Sequence, residues 1–335
     1  MIANKDQVSL SEIYCECAEI LETDKPKFLT LLEEHIRLEE IIPASFYLHF
    51  HSWTGRPREY PLQGFLWALI LQKIFAIPRD ELLLVFLHYS KELREFCGFD
   101  KVPDASKITR FKQDFVEDLQ SVFDRLVDMT EPICQIIDAA KADMTIFDSS
   151  GIEAYVTENN PKFADRIIRQ MKSWAKTMKF DEPFNPYKVA YSSMPTCAHA
   201  NPEIKQQYIN SHFCYAYKFG LVTNGLGIVR HIEFYDKDFF KSTLTLSWRK
   251  SLILPTKISL PTIQNFFAAH PLLTPKTFLG DAAFDEVQIY KDLLTGDTFG
   301  ENRHFLAAYI PLNQRAGLED SDYTINEDGI PCCPY

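Results

Sequence analysis

The sequence predicts an all-helical N-terminal region followed by a mixed α/β sheet. Three observations carry this expectation. Residues 10 to 140 place apolar side chains at helical spacing and hold no alternating run. Beyond residue 142 the pattern changes to short apolar runs that end near an acid or a turn. Among them, "HFCYAYKFGLVTNGLGIVRHIEFYD" alternates and is broken by Asn224-Gly225, the strongest hairpin signal in the chain. A hairpin beside strand–helix–strand crossovers makes a mixed sheet. The expected division is residues 1–140 and 141–335.

The elements follow in order. "SEIYCECAEILE" reads as a first helix. "PLQGFLWALILQKIF" begins at Pro61, which a first helical turn tolerates. "RDELLLVFLHYS" is the next helix, after Pro78. "DASKITRFKQDFVEDLQSVFDRLVDM" predicts one long helix with Ser106 as its N-cap. Ile108, Phe111, Phe115, Leu119, Val122, Phe123 and Leu126 form its apolar stripe. "ADMTIFDSSGIEAY" gives a strand over residues 144–147, ending in Asp148. Residues 183–207, rich in Pro, Asn and Ser, read as irregular. "LPTIQNFFAAH" reads as a short helix. "KTFLGDAAFDEVQIYKDLL" reads as a strand ending near Asp281, then a helix from residue 284. "RHFLAAYIPLN" is a further strand.

Bulk properties bound the function. With 335 residues, 46% of them hydrophobic, the chain can bury a sizeable core. A net charge of -11 excludes a surface coated in positive charge, so any nucleic-acid contact must be local. None of the eight cysteines forms a C-x-x-C pair, which leaves them as small core residues in a reducing cytoplasm. The polar, acidic start carries no signal-peptide pattern. "FLWALIL" and "LLLVFL" are too short to span a membrane, so no membrane partner is expected.

The strands ending at Asp148 and Asp281 lie 133 residues apart in sequence. In open α/β sheets the functional crevice lies at the carboxyl ends of strands, where the two acids can meet. Paired carboxylates suit Mg²⁺, a hard cation that takes oxygen ligands and bridges to phosphate. A pair of such ions serves phosphoryl transfer. The bland alternative is that each Asp caps a turn or helix.

The element order, three antiparallel strands, a helix, then a fourth strand beside the first, is what a ribonuclease-H-like fold requires. Together with "YPLQGFLWALILQKIF", "LREFCGFDKVPDASKITRF", "IFDSSGIEAY", "YINSHFCYAYKFGLVTNGLGIVRHIEF" and "TFLGDAAFDE", it resembles the DDE transposases of bacterial insertion sequences. Within that group it is similar to members with an all-helical N-terminal domain before a ribonuclease-H-like core. The resemblance implies that Asp148 and Asp281 are catalytic and hold Mg²⁺ or Mn²⁺. It implies cleavage at the element's ends and attack of the freed 3′-hydroxyl on target DNA. It also implies DNA partners, a homodimer on DNA, and a cytoplasmic, nucleoid-associated protein. The family's third acid, on a later helix between Tyr-Arg and Lys, has no match. Glu301, Glu319, Asp320, Asp322, Glu327 and Asp328 all fall outside such a motif. The expectation is therefore a core truncated before its third acid, with activity left open. A non-catalytic DNA-binding remnant and a metal-dependent nuclease on the same fold are the alternatives.

A local DNA-binding surface is visible in "KFADRIIRQMKSWAKTMK". Lys162, Arg166, Arg169, Lys172, Lys176 and Lys179 are spaced 4, 3, 3, 4 and 3, which aligns them along one helical face. Ile167, Ile168, Met171, Trp174 and Met178 form a largely opposite apolar face. Such a stripe can neutralise phosphates, or can simply be a solvated face. Lys218, on the hairpin's first strand, can reach the acidic edge and a phosphate, or face outward. "PDASKITRFKQDF" reads as packing in the helical domain in preference to a recognition helix.

Overall fold

A computed structural model describes residues 15, 19, 25–51, 57–177, 185–209, 212–244, 254–296, 299, 303–312, 324–325 and 331–332. The chain divides into two compact units, residues 1–137 and 138–335. The expected helix at "SEIYCECAEILE" lies largely outside the described residues.

The first unit is helical: α1 (Lys25–His35), α2 (Leu38–Ile41), α3 (Ala44–Phe50), α4 (Leu62–Ile74), α5 (Asp80–Tyr89), α6 (Lys91–Phe96), α7 (Ala105–Asp114) and the start of α8 (Val116–Ala142). Its core is aromatic. Phe46, Phe50, Phe65, Phe111 and Phe115 are all buried, and Phe65 stacks on Phe111 with ring centroids 4.6 Å apart. Apolar burial and aromatic stacking of this kind dominate the stability of a small helical core.

Two expectations are corrected here. The N-cap of α7 is Asp104, whose side chain accepts from the Ser106 N–H, and Ser106 is not the cap. The single long helix is instead two, because Phe115 leaves helical geometry between α7 and α8. Packing explains the break: Phe115 is buried against Phe46 and Phe50, and beyond it the burial of the stripe fades until Leu126 is exposed. A second interruption falls at Asp138, with φ -160° and ψ 97°, where the carboxylate accepts from the Lys141 N–H and caps the last turn of α8.

The second unit is built on a mixed sheet. Its strands are β1 (Met144–Glu153), β2 (Lys205–Ile209), β3 (His212–Thr223), β4 (Val229–Phe234), β5 (Thr277–Gly280) and β6 (Ala307–Tyr309). A separate short pair joins β7 (Thr324–Ile325) to β8 (Pro331–Cys332). The helices of this unit are α9 (Pro161–Thr177), α10 (Pro186–Ser193), α11 (Lys237–Leu244), α12 (Leu254–Ala269) and α13 (Val287–Thr295). β1 is central, antiparallel to β3 and parallel to β5, and β5 is parallel to β6. β4 pairs with the second half of β3, and β2 with its first half. The order across the sheet is thus β4, β3, β1, β5, β6, with β2 added beside β3.

The β3–β4 connection is a hairpin, but not a two-residue Asn-Gly turn. The Asn224 side chain accepts from the Leu226 and Ile228 N–H groups, and the positive φ of 80° falls on Gly227. The segment expected to be irregular contains α10 and the first residues of β2. α10 starts at Asn185, which caps the Tyr187 and Lys188 N–H groups, with Pro186 in the first turn. The short helix near 260 extends back to Leu254 and absorbs Pro261. After Asp281 the chain makes a 3₁₀ turn, Ala282–Phe284, and α13 begins at Val287 rather than at 284. The last expected strand is regular only over β6.

The β1 pairings with β3 and β5 run without a register shift, which sorts their side chains by face. Thr145, Phe147 and Phe278 point to one side, where Phe147 meets Phe284 with ring centroids 5.0 Å apart. Gly220 lies on that side, and a Cβ there would run into the Tyr235 hydroxyl, which bonds Thr262 of α12 at 3.2 Å. The opposite face carries Asp148, with Ser150 and Ile152 further along β1. α9 and α10 cover the far end of this face through Phe163, Ala164 and Ile167, packed on Tyr215, Met194 and Ile204. Asn159 ties that layer down. Its amide donates to the carbonyls of Ala154 (2.6 Å) and Tyr215 (2.7 Å), and its oxygen accepts from the Tyr215 N–H (2.7 Å).

Candidate functional site

β1 does not end at Asp148, as its apolar run suggests, but continues to Glu153 against β3. What ends there is the parallel ladder. Its last pair is Phe147 with Gly280, and the next residue on each strand is an aspartate, Asp148 and Asp281. The register is pinned from the start of the ladder. The Asp143 carbonyl accepts from the Lys276 and Thr277 N–H groups (2.8 and 3.1 Å), and the Lys276 ammonium pairs with the Asp143 carboxylate. Adjacent strands lie about 4.8 Å apart. Asp148 and Asp281 are the first residues beyond the last pair, one on each strand.

Both aspartates are exposed. Each uses one carboxyl oxygen on the next backbone N–H: Asp148 accepts from Ser149 at 2.7 Å, and Asp281 from Ala282 at 2.6 Å. The second bond makes Asp281 the N-cap of the 3₁₀ turn, so the capping role weighed from sequence is real. It still leaves the other oxygen of each carboxylate without a hydrogen bond among the described residues. Glu301, Glu319, Asp320, Asp322, Glu327 and Asp328 lie outside the described residues.

The basic stripe sits on α9. Lys162, Arg166, Arg169, Lys172 and Lys176 are all exposed, while Ile168 is buried and Ile167 and Met171 are half-buried. From Lys162 to Lys176 the stripe is about 21 Å long. None of the five stands in an ion pair among the described residues. Lys172 donates to the Tyr187 hydroxyl at 2.7 Å and lies 4.5 Å from that ring's centroid, and Arg166 lies 5.5 Å from the Phe163 centroid. These are neutral partners that hold each side chain without cancelling its charge. Trp174, assigned to the apolar face, is 43% exposed. Lys179 and Met178 lie outside the described residues. Sequence reasoning missed Lys188, an exposed cation on α10, the helix packed against α9. The signal for that helix was Asn185-Pro186, an N-cap residue before a first-turn proline.

Lys218 pairs in register with Gly151, three residues beyond Asp148, which puts it on the other face of the sheet. It is half-buried. Burial lowers its ammonium pKa; the charge of Asp148 works against that shift and the charge of Lys205 adds to it. Lys218 is thus electrostatically tied to the acidic rim but does not share its face.

In the first unit, "PDASKITRFKQDF" is a packing helix on one side. Ile108 and Phe111 are buried, and Lys112 holds both oxygens of Asp80 at 2.8 and 2.9 Å. Burial acts to raise the Asp80 pKa. The Lys112 and Gln72 hydrogen bonds and the Lys112 charge outweigh it, so the carboxyl sits below its ordinary value. Lys107 and Arg110 remain exposed.

Residues 16–114 match a family model described as a transposase domain (DUF772). No curated protein and no solved structure matches the chain at a significant level. Among the described residues, no helix is long and apolar enough to cross a membrane.

Proposed function

We propose that this chain, whose residues 16–114 match a transposase-domain model, is an insertion-sequence transposase with a DDE-type, ribonuclease-H-like core in its second unit. The strand order supports that core. Setting β2 aside, the five strands lie third, second, first, fourth, fifth. α12 stands between the third and fourth, and α13 between the fourth and fifth.

The observation that carries the reading is the β1–β5 register, whose last pair, Phe147 with Gly280, is followed by an aspartate on each strand. The donor set fits a hard cation: two exposed carboxylates, each with an oxygen outside the hydrogen bonding of the described residues. Asp148 and Asp281 would hold Mg²⁺ or Mn²⁺. Such an ion supplies Lewis-acid polarisation of a phosphate and stabilises charge on the leaving oxygen. The protein's own part is positional. The β1–β3 ladder fixes Asp148 from one side, and the 3₁₀ turn fixes Asp281. α9 offers five uncancelled cations on the layer that covers the Asp148 face, suited to holding a DNA backbone.

Mn²⁺ titration followed by electron paramagnetic resonance tests the proposal. The expected result is binding that Asp148→Asn and Asp281→Asn each weaken at least tenfold, with circular dichroism unchanged. Equal Mn²⁺ affinity in the wild type and both variants would remove the two aspartates from the site.

A further inference from the structure

A second group of metal-binding side chains lies elsewhere on the sheet. His212 and Cys214 are two residues apart on β3 and so share a face. The next residue on that face, Ala216, stands opposite Glu153 of β1. One ligand atom from each of Glu153, His212 and Cys214 lies within 4.8 Å of the other two. The Glu153 Oε2 to His212 Nε2 separation is 3.6 Å. A tetrahedral centre with bonds of about 2.0–2.3 Å spaces its ligand atoms roughly 3.3–3.8 Å apart. The carboxylate and imidazole are therefore already at ion-spanning distance, with the Cys214 sulfur inside the same 4.8 Å cluster.

We propose that Glu153, His212 and Cys214 form a binding site for a borderline divalent cation of the Zn²⁺ class, distinct from the Asp148–Asp281 rim. Sulfur, imidazole nitrogen and one carboxylate oxygen are the donor set such ions select, whereas Mg²⁺ prefers oxygen alone. A His–Glu ion pair explains two of the three residues, but it gives no reason for a cysteine to converge on them.

The burial pattern suits a site entered from solvent. Cys214 is 4% exposed at the base, and the Glu153 and His212 side chains are each 53% exposed at the mouth. Neighbouring strands brace the base: Gln207 of β2 stands opposite Cys214 and donates to the Ala216 carbonyl at 2.9 Å. Binding exchanges the Cys214 thiol proton for the ion. Three protein ligands leave a fourth position for water or another donor.

The two sites cannot share an ion. Asp148 and Glu153 are five positions apart on β1, about 17 Å, and an odd separation puts them on opposite faces.

Co²⁺ titration of the full chain tests the proposal, because a thiolate ligand gives Co²⁺ a near-ultraviolet charge-transfer band and tetrahedral geometry intensifies its visible bands. The expected result is one equivalent bound with both signatures, retained in Asp148→Asn, Asp281→Asn and a Cys332→Ser/Cys333→Ser double variant. Cys214→Ser should abolish the charge-transfer band, and Glu153→Gln and His212→Ala should each weaken binding at least tenfold. The absence of a thiolate band in the wild type overturns the proposal, as does a band that survives Cys214→Ser. If Cys214→Ser fails to fold, the exposed Glu153→Gln decides: unchanged Co²⁺ affinity in that variant overturns it.

Discussion

Replacing Lys162, Arg166, Arg169, Lys172 and Lys176 together by Gln removes the α9 stripe while keeping residues that favour helix. For duplex DNA, the slope of log affinity against log salt is about -0.9 per phosphate neutralised. All five side chains are exposed and none is in an ion pair among the described residues, so each keeps a charge that can meet a phosphate. Full engagement assigns about 4.5 units of slope to the stripe. Between 50 and 200 mM salt, that amounts to a loss of roughly 500-fold in affinity by the wild type that the variant would not show. Lys172 has already bonded Tyr187, so its share is the smallest, and a fall of three to four units is expected. Fluorescence anisotropy of a labelled duplex of arbitrary sequence, repeated across that salt range, gives both slopes. A slope that changes by less than one unit, with helicity intact by circular dichroism, would show that α9 is only a solvated face.

Two further outcomes follow from the packing. Asn159→Ala strips three hydrogen bonds from the junction of β1 and β3, leaving the buried Tyr215 N–H without its partner. A loss of about 1–3 kcal/mol in chemical denaturation, with faster amide exchange at Tyr215 and through α9, is expected. Lys112→Met leaves the Asp80 carboxylate with Gln72 alone, which costs about 1 kcal/mol near neutral pH once the partial exposure of Lys112 is discounted. Because the folded Asp80 pKa lies below the ordinary 3.8, its contribution is complete above that value and disappears as pH falls through the depressed one. The gap between wild type and variant should therefore close in acid, and a gap of constant size from neutral to strongly acidic pH would refute the charge account.

The parts legible in the sequence were those written in local patterns. Helical periodicity marked α4, α5 and α9, alternation marked β3 and β4, and short apolar runs ending in acid marked β1 and β5. Other features depended on tertiary partners. β1 runs past Asp148 because β3 supplies a ladder for Ser149 to Glu153, a stretch whose own sequence, Ser-Ser-Gly, reads as a turn. β2 was hidden in a polar segment because its strand conformation comes from tertiary partners, chiefly β3 and also the Cys197 bridge to Lys205. The break at Phe115 follows from the position of Phe46 and Phe50, which a stripe drawn on one helix does not contain. Glu153, His212 and Cys214 were equally silent. Their only local trace is His-x-Cys, a spacing that matters on a strand and means nothing until Glu153 is known to lie alongside.

The pairing of Phe147 with Gly280 has a consequence for how errors are handled. Strand alternation has a period of two, so a slip of one residue between β1 and β5 would turn Phe147 outward and Asp148 into the apolar interior. Phe147 and Phe278 are almost wholly shielded from water, and one or the other would forfeit that shelter in an alignment shifted by one residue. The greasy side of the sheet thereby proofreads the register that sets which residue follows Phe147 on β1 and Gly280 on β5. Mutations in this interior should lower the yield of folded protein and leave the register of what does fold unchanged.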